Sequence, residues 1–420
     1  MAIGGVFGQA DAPMLGERVR TMRHYRHKTL AEVAGLAGIS VSYLSLLERG
    51  LRALDSRSLL YRLAEVLECS VAELTGEPVP ATSSSHAAAL ATIQDVRLSL
   101  ATVGDEPEEV DARPLVSLAD DAARVLDLFM ACRYAECGRL LAPLIVDLSH
   151  TPSSEAELGV VLAMRTRAYF TAWSLATSLG FLDLGLRAAE MATATARATA
   201  DPVLFGAAEF ARAQALYHIG AVQPSLNACT RAADRIQVAT GGTGVQQAYG
   251  TLHLHAAQTL AVSGRTQEAQ AHLAEAAATA ERTGEHTERT DRDANVFELY
   301  FGPANVALWR LAVAVEQHEG GRGPEIVAGV DLNALASPNR RAYLYADVGR
   351  GLAQERGRDR EAVVALCEAE RIAPDLVRST PLVRETVSDL LRRARRRAGG
   401  RNLTGLAFRM GITHQASSEA

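Results

Sequence analysis

The sequence predicts an all-α protein of two domains, and three observations carry that expectation. The chain has 420 residues, longer than one compact core of typical size. Aromatic residues make up only 5% of it, and alanine and leucine supply most of the apolar mass, a balance that favours helix over strand. Long stretches carry apolar residues at helical spacing, broken by isolated glycines, with almost no strand-like alternation. Hydrophobic residues at 48% and charged residues at 22% fit a folded chain rather than a disordered one. The net charge of −6 means that any contact with nucleic acid must be local.

Residues 1–13 have neither the basic nor the apolar segment of a secretory leader, and no window approaches the ~20 apolar residues of a membrane span. The cysteines Cys69, Cys132, Cys137, Cys229 and Cys367 are odd in number and far apart, which is not a disulfide framework. A cytoplasmic protein with reduced thiols and no membrane partner is expected.

Composition divides the chain into residues 1–76, a connector at 77–113, a long helical zone at 114–400 and a tail at 401–420. The connector opens on a Pro/Ser run and closes on the acidic run after Gly104. Between them Leu90, Ile93 and Leu100 predict one short helix. Residues 1–76 hold 9 basic and 8 acidic side chains, and five of the basic ones crowd into Arg18–Lys28. That stripe is either a phosphate-facing surface or the solvated face of the first helix. A second basic run spans Arg392–Arg397.

In the first zone, Thr29 and Glu32 are spaced as a capping box, so a helix starts at Leu30. Val33 and Ala37 point to a core, and Ala34 is small where two helices would cross. Gly38 suits a tight turn with positive φ. Ser40 then caps a second helix that buries Leu44 and Leu47, with Ile39 leading in. Two short helices on a glycine turn make a helix-turn-helix. Further helices are expected at Leu15–His27, Ser56–Leu67 and Val71–Leu74, the last behind a Ser70/Glu73 capping box.

With Tyr43-Leu-Ser-Leu-Leu-Glu-Arg-Gly50 and Leu63-Ala-Glu-Val-Leu67, this zone resembles the Cro and lambda-repressor-like (XRE) helix-turn-helix family over about residues 15–76. The resemblance implies a five-helix domain binding double-stranded DNA, with the helix after Ser40 in the major groove. It places Val41, Ser42, Ser45 and Leu46 at base edges, Thr29 and Ser40 by phosphates, and Arg49 and Arg52 on the backbone. Leu30 and Leu46 stand where many relatives carry polar residues, and Val41 is apolar. Hydrogen-bond readout is therefore thin, leaving more to Ser42, Ser45, Tyr43, thymine-methyl contacts and DNA shape. The resemblance also pairs Arg23 with Glu48.

From Leu115 on, helical patterns come in pairs. Turn glycines are expected at Gly180, Gly220, Gly264, Gly320 and Gly357. Ala269, Leu273 and Ala276, and again Ala362, Leu366, Ala369 and Pro374, follow small-large-small spacing. The zone looks like a degenerate tetratricopeptide solenoid of about six or seven pairs, though Arg350 falls where a small residue is expected. The first helix of each pair would line a concave face. That stripe carries Arg165, Tyr169, Trp173, Phe210, Gln214, Tyr217, Gln258, Asn305 and Trp309, candidates for binding an effector. The alternative makes the aromatics repeat core and the amides solvated.

No P-loop, nucleophile elbow, zinc-protease or dinucleotide motif occurs, and His253 and His255 are two apart on a helix, so they diverge. Neither a metal, a cofactor nor catalysis is expected. The arrangement looks like the peptide-responsive regulators of Gram-positive bacteria, and the Arg/Ala-rich composition points to an actinobacterial relative. A homodimeric transcriptional regulator sensing a peptide or small molecule is the resulting expectation. Its rival is a DNA-anchored scaffold whose repeats recruit a protein.

Overall fold

The fold is that of a computed structural model, which describes residues 14–105, 113–151, 154–237, 242–285, 297, 299–331, 334–335, 337–395 and 400–412. The described residues are all-helical, without strands. They divide into two compact units, Met1–Glu77 with Thr380–Ala420, and Pro78–Ser379.

The first unit opens with α1 (Leu15–Tyr25), α2 (Leu30–Leu36), α3 (Val41–Glu48), α4 (Arg57–Val66) and α5 (Val71–Thr75). Both expected capping boxes form: Thr29 with Glu32 starts α2, and Ser70 with Glu73 starts α5. Gly38 takes the turn between α2 and α3 at φ +67°, where a side chain would be strained. The apolar faces meet as spaced, with Val33, Ala34, Ala37, Leu44 and Leu47 all buried. Gly16 of α1 lies against the end of α3, where an added Cβ would come within 2.0 Å of the Leu47 carbonyl oxygen. Only glycine allows that approach.

The second unit begins with α6 (Ser84–Ala101), an 18-residue helix where a short one was expected. It buries Ile93 and Leu100 and docks on α8. The acidic run at 106–109 lies outside the described residues. There follow α7 (Leu115–Met130) and α8 (Tyr134–His150), α9 (Glu155–Ser178) and α10 (Leu182–Arg197), α11 (Pro202–His218) and α12 (Val222–Gln237), α13 (Thr243–Val262) and α14 (Thr266–Thr283). Then come α15 (Pro303–Glu316), the five-residue α16 (Gly323–Val327), α17 (Pro338–Gln354), α18 (Asp359–Ile372) and α19 (Pro374–Ser379).

Each helix packs on its successor within a pair, and the first helices α7, α9, α11, α13, α15 and α17 also pack on one another in series. Stacking each unit on its neighbour in this way is what makes a helix-pair array a solenoid. Gly180, Gly220, Gly264 and Gly357 have positive φ as turns require. Gly320 differs: it enters a short 3-10 turn, and the pair that α15 should start is completed only by α16. Arg350 departs from the repeat pattern for a reason. Its guanidinium is buried between Glu316 of α15, at 3.3 Å, and Asp347, at 2.9 Å.

The chain then returns to the first unit through α20 (Pro381–Arg395) and α21 (Arg401–Arg409). Residues 381–400 had been expected among the repeats, and 401–412 as tail. Instead Leu382, Val383, Val387, Leu390, Leu403, Leu406 and Met410 are buried. The Glu385 carboxylate accepts the backbone N–H of Leu15 at 3.3 Å, at the start of α1.

Burial lifts the Glu385 carboxyl to about 7, with Asp389 adding to the effect and Arg392, the Leu15 amide and Arg384 opposing it. A carboxyl raised by folding holds its proton more tightly in the folded state. Its contribution is complete below the ordinary 4.5 and is lost as pH rises through about 7. Melting followed from pH 4 to 8 should therefore show the wild type losing stability relative to Glu385→Gln, by at most about 3 kcal/mol. A constant difference across that range would contradict the buried placement.

Candidate nucleic-acid interface

The candidate surface is built on α3. Ser40 accepts the Tyr43 N–H at 3.1 Å and so fixes where the helix begins. With Leu44 and Leu47 turned inward, the opposite face carries Val41 and Ser42, both exposed, and Tyr43, Ser45 and Leu46, part-exposed. Thr29 and Ser40 are exposed beside them at the two helix starts. Arg49 and Arg52 are exposed just past the end of α3. All nine residues expected to meet DNA thus lie on the surface, on the two motif helices and the turn that follows.

The ring of Tyr43 supports Arg52, whose guanidinium carbon stands 4.3 Å from the ring centroid. Such stacking limits the side chain's rotamers without neutralising its charge. No local spacing rule reveals this contact, because nine residues separate the two on different elements. Arg49 folds back to donate to the Ser45 carbonyl at 3.2 Å.

The recognition helix is held from behind by Arg23. Its Nε donates to Glu48 Oε1 at 2.6 Å and its Nη2 to Oε2 at 2.8 Å, while Nη1 reaches the Lys28 carbonyl at 3.1 Å. Both side chains are buried, and the hydrogen bond to Glu48 raises the Arg23 pKa. The carboxylate at the end of α3 therefore faces inward, away from where a phosphate would approach.

The basic stripe Arg18–Lys28 is only in part the surface that its composition suggested: Arg20 is exposed, while three of its cations bond within the domain. Arg26 donates to the Leu67 carbonyl at 2.9 Å and to the Glu68 carbonyl, and Lys28 donates to the Val66 carbonyl at 2.5 Å. Together they satisfy the last carbonyls of α4, where cations are favoured. With Arg23 committed to Glu48, three of the five cations hold the domain together.

A family model described as a helix-turn-helix domain matches residues 14–75. Residues 14–75 form a helix-turn-helix domain. Over 64 residues the chain is 38% identical to the HTH-type transcriptional regulator SinR of Bacillus licheniformis and to that of Bacillus subtilis (strain 168). The aligned stretch is 15% of this chain and 58% of each relative's own length, so the chain spans little more than half of the curated relatives that it matches. Among solved structures, Bacillus thuringiensis PlcR in complex with the peptide PapR7 and DNA aligns with a TM-score of 0.34 and 14% identity, covering 64% of this chain and 95% of that one.

The stripe expected to line an open groove in the repeat unit is mostly interior. Trp173, Phe210 and Trp309 come from α9, α11 and α15, and they meet ring to ring at 6.0 and 6.3 Å, with His255 of α13 beside Phe210 and Trp309. Tyr169, Tyr217, Gln258 and Asn305 are buried as well, and only Gln214 and Arg165 are part-exposed. Arg165 is turned to the Leu148 and Ser149 carbonyls at 2.8 and 3.2 Å, so it caps α8 instead of facing a groove. These aromatics join four successive first helices, which is a core role. His255 and His253 diverge as spaced: one meets Ser225 at 3.0 Å and the other His272 at 3.0 Å. Among the described residues no group of three or more His, Cys, Asp or Glu could hold a metal ion. No single described helix is long and apolar enough to cross a membrane.

Removing the Glu48 carboxylate strands a buried guanidinium in the helix-turn-helix domain. Glu48→Ala should cost about 3 kcal/mol or more, and Arg23→Met with Glu48→Leu should recover much of it. Chemical denaturation of the three proteins checks this. Equal stability of the single variant and the wild type would mean that the pair is dispensable.

Proposed function

We propose that this chain is a sequence-specific DNA-binding transcriptional regulator that works in the cytoplasm as a homodimer and has no catalytic role. The observation that carries the reading is the outward face of α3: small polar and apolar side chains at its start, flanked by Arg49 and Arg52, on a helix whose one carboxylate is sequestered. The named regulators that share 38% identity over this segment support the same reading. A helix of eight residues touches few base pairs. Two copies on two half-sites supply the affinity and specificity that one lacks.

The reading has a direct test in binding to duplexes selected from a random pool. Ser42→Ala or Ser45→Ala should lower discrimination against unrelated DNA by ~1–3 kcal/mol for each lost base contact. Arg52→Ala should weaken binding to all sequences and make the salt dependence shallower. Unchanged discrimination in both serine variants would remove α3 from the base edges.

The repeat unit, in this reading, senses a peptide or small-molecule effector. The supporting observation is that the Trp173 and Trp309 indole N–H groups and the Asn305 Oδ1 are buried without a hydrogen-bond partner among the described residues. Such groups favour a molecule that offers two acceptors and a donor. A strongly anionic one is disfavoured, since residues 78–379 carry 26 basic and 37 acidic side chains. Trp173 and Trp309 are the only tryptophans of the chain, so its indole emission reports on this cluster alone. Culture-extract fractions that alter DNA binding should shift that emission, and Asn305→Ala should abolish the shift, at some cost in melting because the Asn305 amide also donates to the buried Leu299 carbonyl. Altered DNA binding without any change in emission would place the effector elsewhere and favour recruitment of a protein partner.

A further inference from the structure

We propose that α20 and α21 form a second DNA-contacting element, which grips the phosphate backbone beside the end of the recognition helix. The inference rests on the reading of the helix-turn-helix domain as a DNA binder, and three observations lead to it.

The first is charge. Residues 1–77 carry nine basic and nine acidic side chains. Residues 380–420 carry eight arginines and three acidic residues, so their return gives the first unit a net +5, whereas the second carries −11. The positive field that attracts a polyanion is thus supplied by the far end of the sequence.

The second is the use made of the other cations. Arg23, Arg26 and Lys28 hold α3 and α4, so three of the nine cations of residues 1–77 are committed to protein partners. Further cations beside the motif add to what Arg49 and Arg52 offer, since affinity for duplex DNA grows with the number of phosphates neutralised.

The third is place. Glu385 of α20 holds the N–H of Leu15, and the next residue, Gly16, lies against the Leu47 carbonyl. The returning segment therefore meets the domain at the C-terminal end of α3, which leads into Arg49 and Arg52. Buried Val387 and Leu390 on α20, and Leu403 and Leu406 on α21, fix the segment by packing. Its arginines are displayed from that base. Arg392 and Arg393 both pair with Asp389 and are part-exposed, and Arg401 and Arg409 on α21 are exposed. Arg396 and Arg397 lie outside the described residues.

The test compares the full-length wild type with the triple variant Arg393→Gln, Arg401→Gln, Arg409→Gln on a random-sequence duplex over a salt series, with Arg52→Ala alongside. The triple variant should bind at least ten-fold more weakly at fixed low salt, and the slope of log K against log salt should fall by about 2. Its melting and its preference for a selected duplex should stay as in the wild type, because backbone contacts carry no sequence information. An unchanged slope in the triple variant, with a shallower one in Arg52→Ala, overturns this proposal and leaves the DNA-binding reading intact. A wild type that shows no salt-dependent binding fails that reading itself. A triple variant that changes only the sedimentation of the protein makes α21 a contact between copies, and likewise overturns the proposal.

Discussion

The two-pronged bond between Arg23 and Glu48 fixes where α3 points, and the face that the domain offers to the proposed DNA partner follows from that. α3 has eight residues and buries chiefly Leu44 and Leu47. A helix this short is not stable alone and takes its orientation from what packs behind it. Gly16 brings α1 against the Leu47 carbonyl, and Arg23, two turns further along α1, closes on the carboxylate of the next residue. Desolvating both groups is costly, so the pair is better regarded as a device that defines one arrangement than as a large net source of stability. It also removes the negative charge of Glu48 from the outward face of α3, where DNA is proposed to bind.

That solution shapes the rest of the electrostatics. Cations near a helix-turn-helix are often counted as phosphate contacts, yet here Arg26 and Lys28 close the end of α4. The protein separates its charge by unit, net positive where α3 stands and strongly negative in the repeats. Each unit therefore has its own affinity for charged partners, and the total of −6 describes neither. The covalent path matters too. The chain leaves the first unit after Glu77 and re-enters it at Thr380, so the repeats form an insertion between two parts of one unit. Any rearrangement within the repeats has two covalent routes to the first unit.

Much of the first unit was legible because its signals are local. Capping boxes at Thr29 and Ser70, the turn at Gly38 and the apolar spacing of Val33, Leu44 and Leu47 each act within a few residues. The repeat glycines and the Ala269–Leu273–Ala276 spacing were legible for the same reason. What escaped depends on contacts between distant segments. Nothing near Glu385 announces that its partner is the amide of Leu15, and the apolar pattern of α20 continues that of the repeats without a break. Arg350 reads as an error in the repeat until Glu316, on another helix, is beside it. Trp173, Phe210 and Trp309 were recognised as one stripe, but periodicity alone cannot tell a stripe that faces a groove from one that fills the space between helices.

The central claim is that two copies of α3 read a duplex in register, and selection of bound sequences from a random pool by the intact protein tests it most directly. The account predicts an enriched inverted repeat whose half-site centres are about one helical turn apart, ~34 Å, or a multiple of it. It also predicts that the motif is lost when Ser42 and Ser45 are replaced together. A pool that remains random after repeated rounds, or a motif untouched by that double replacement, would contradict it.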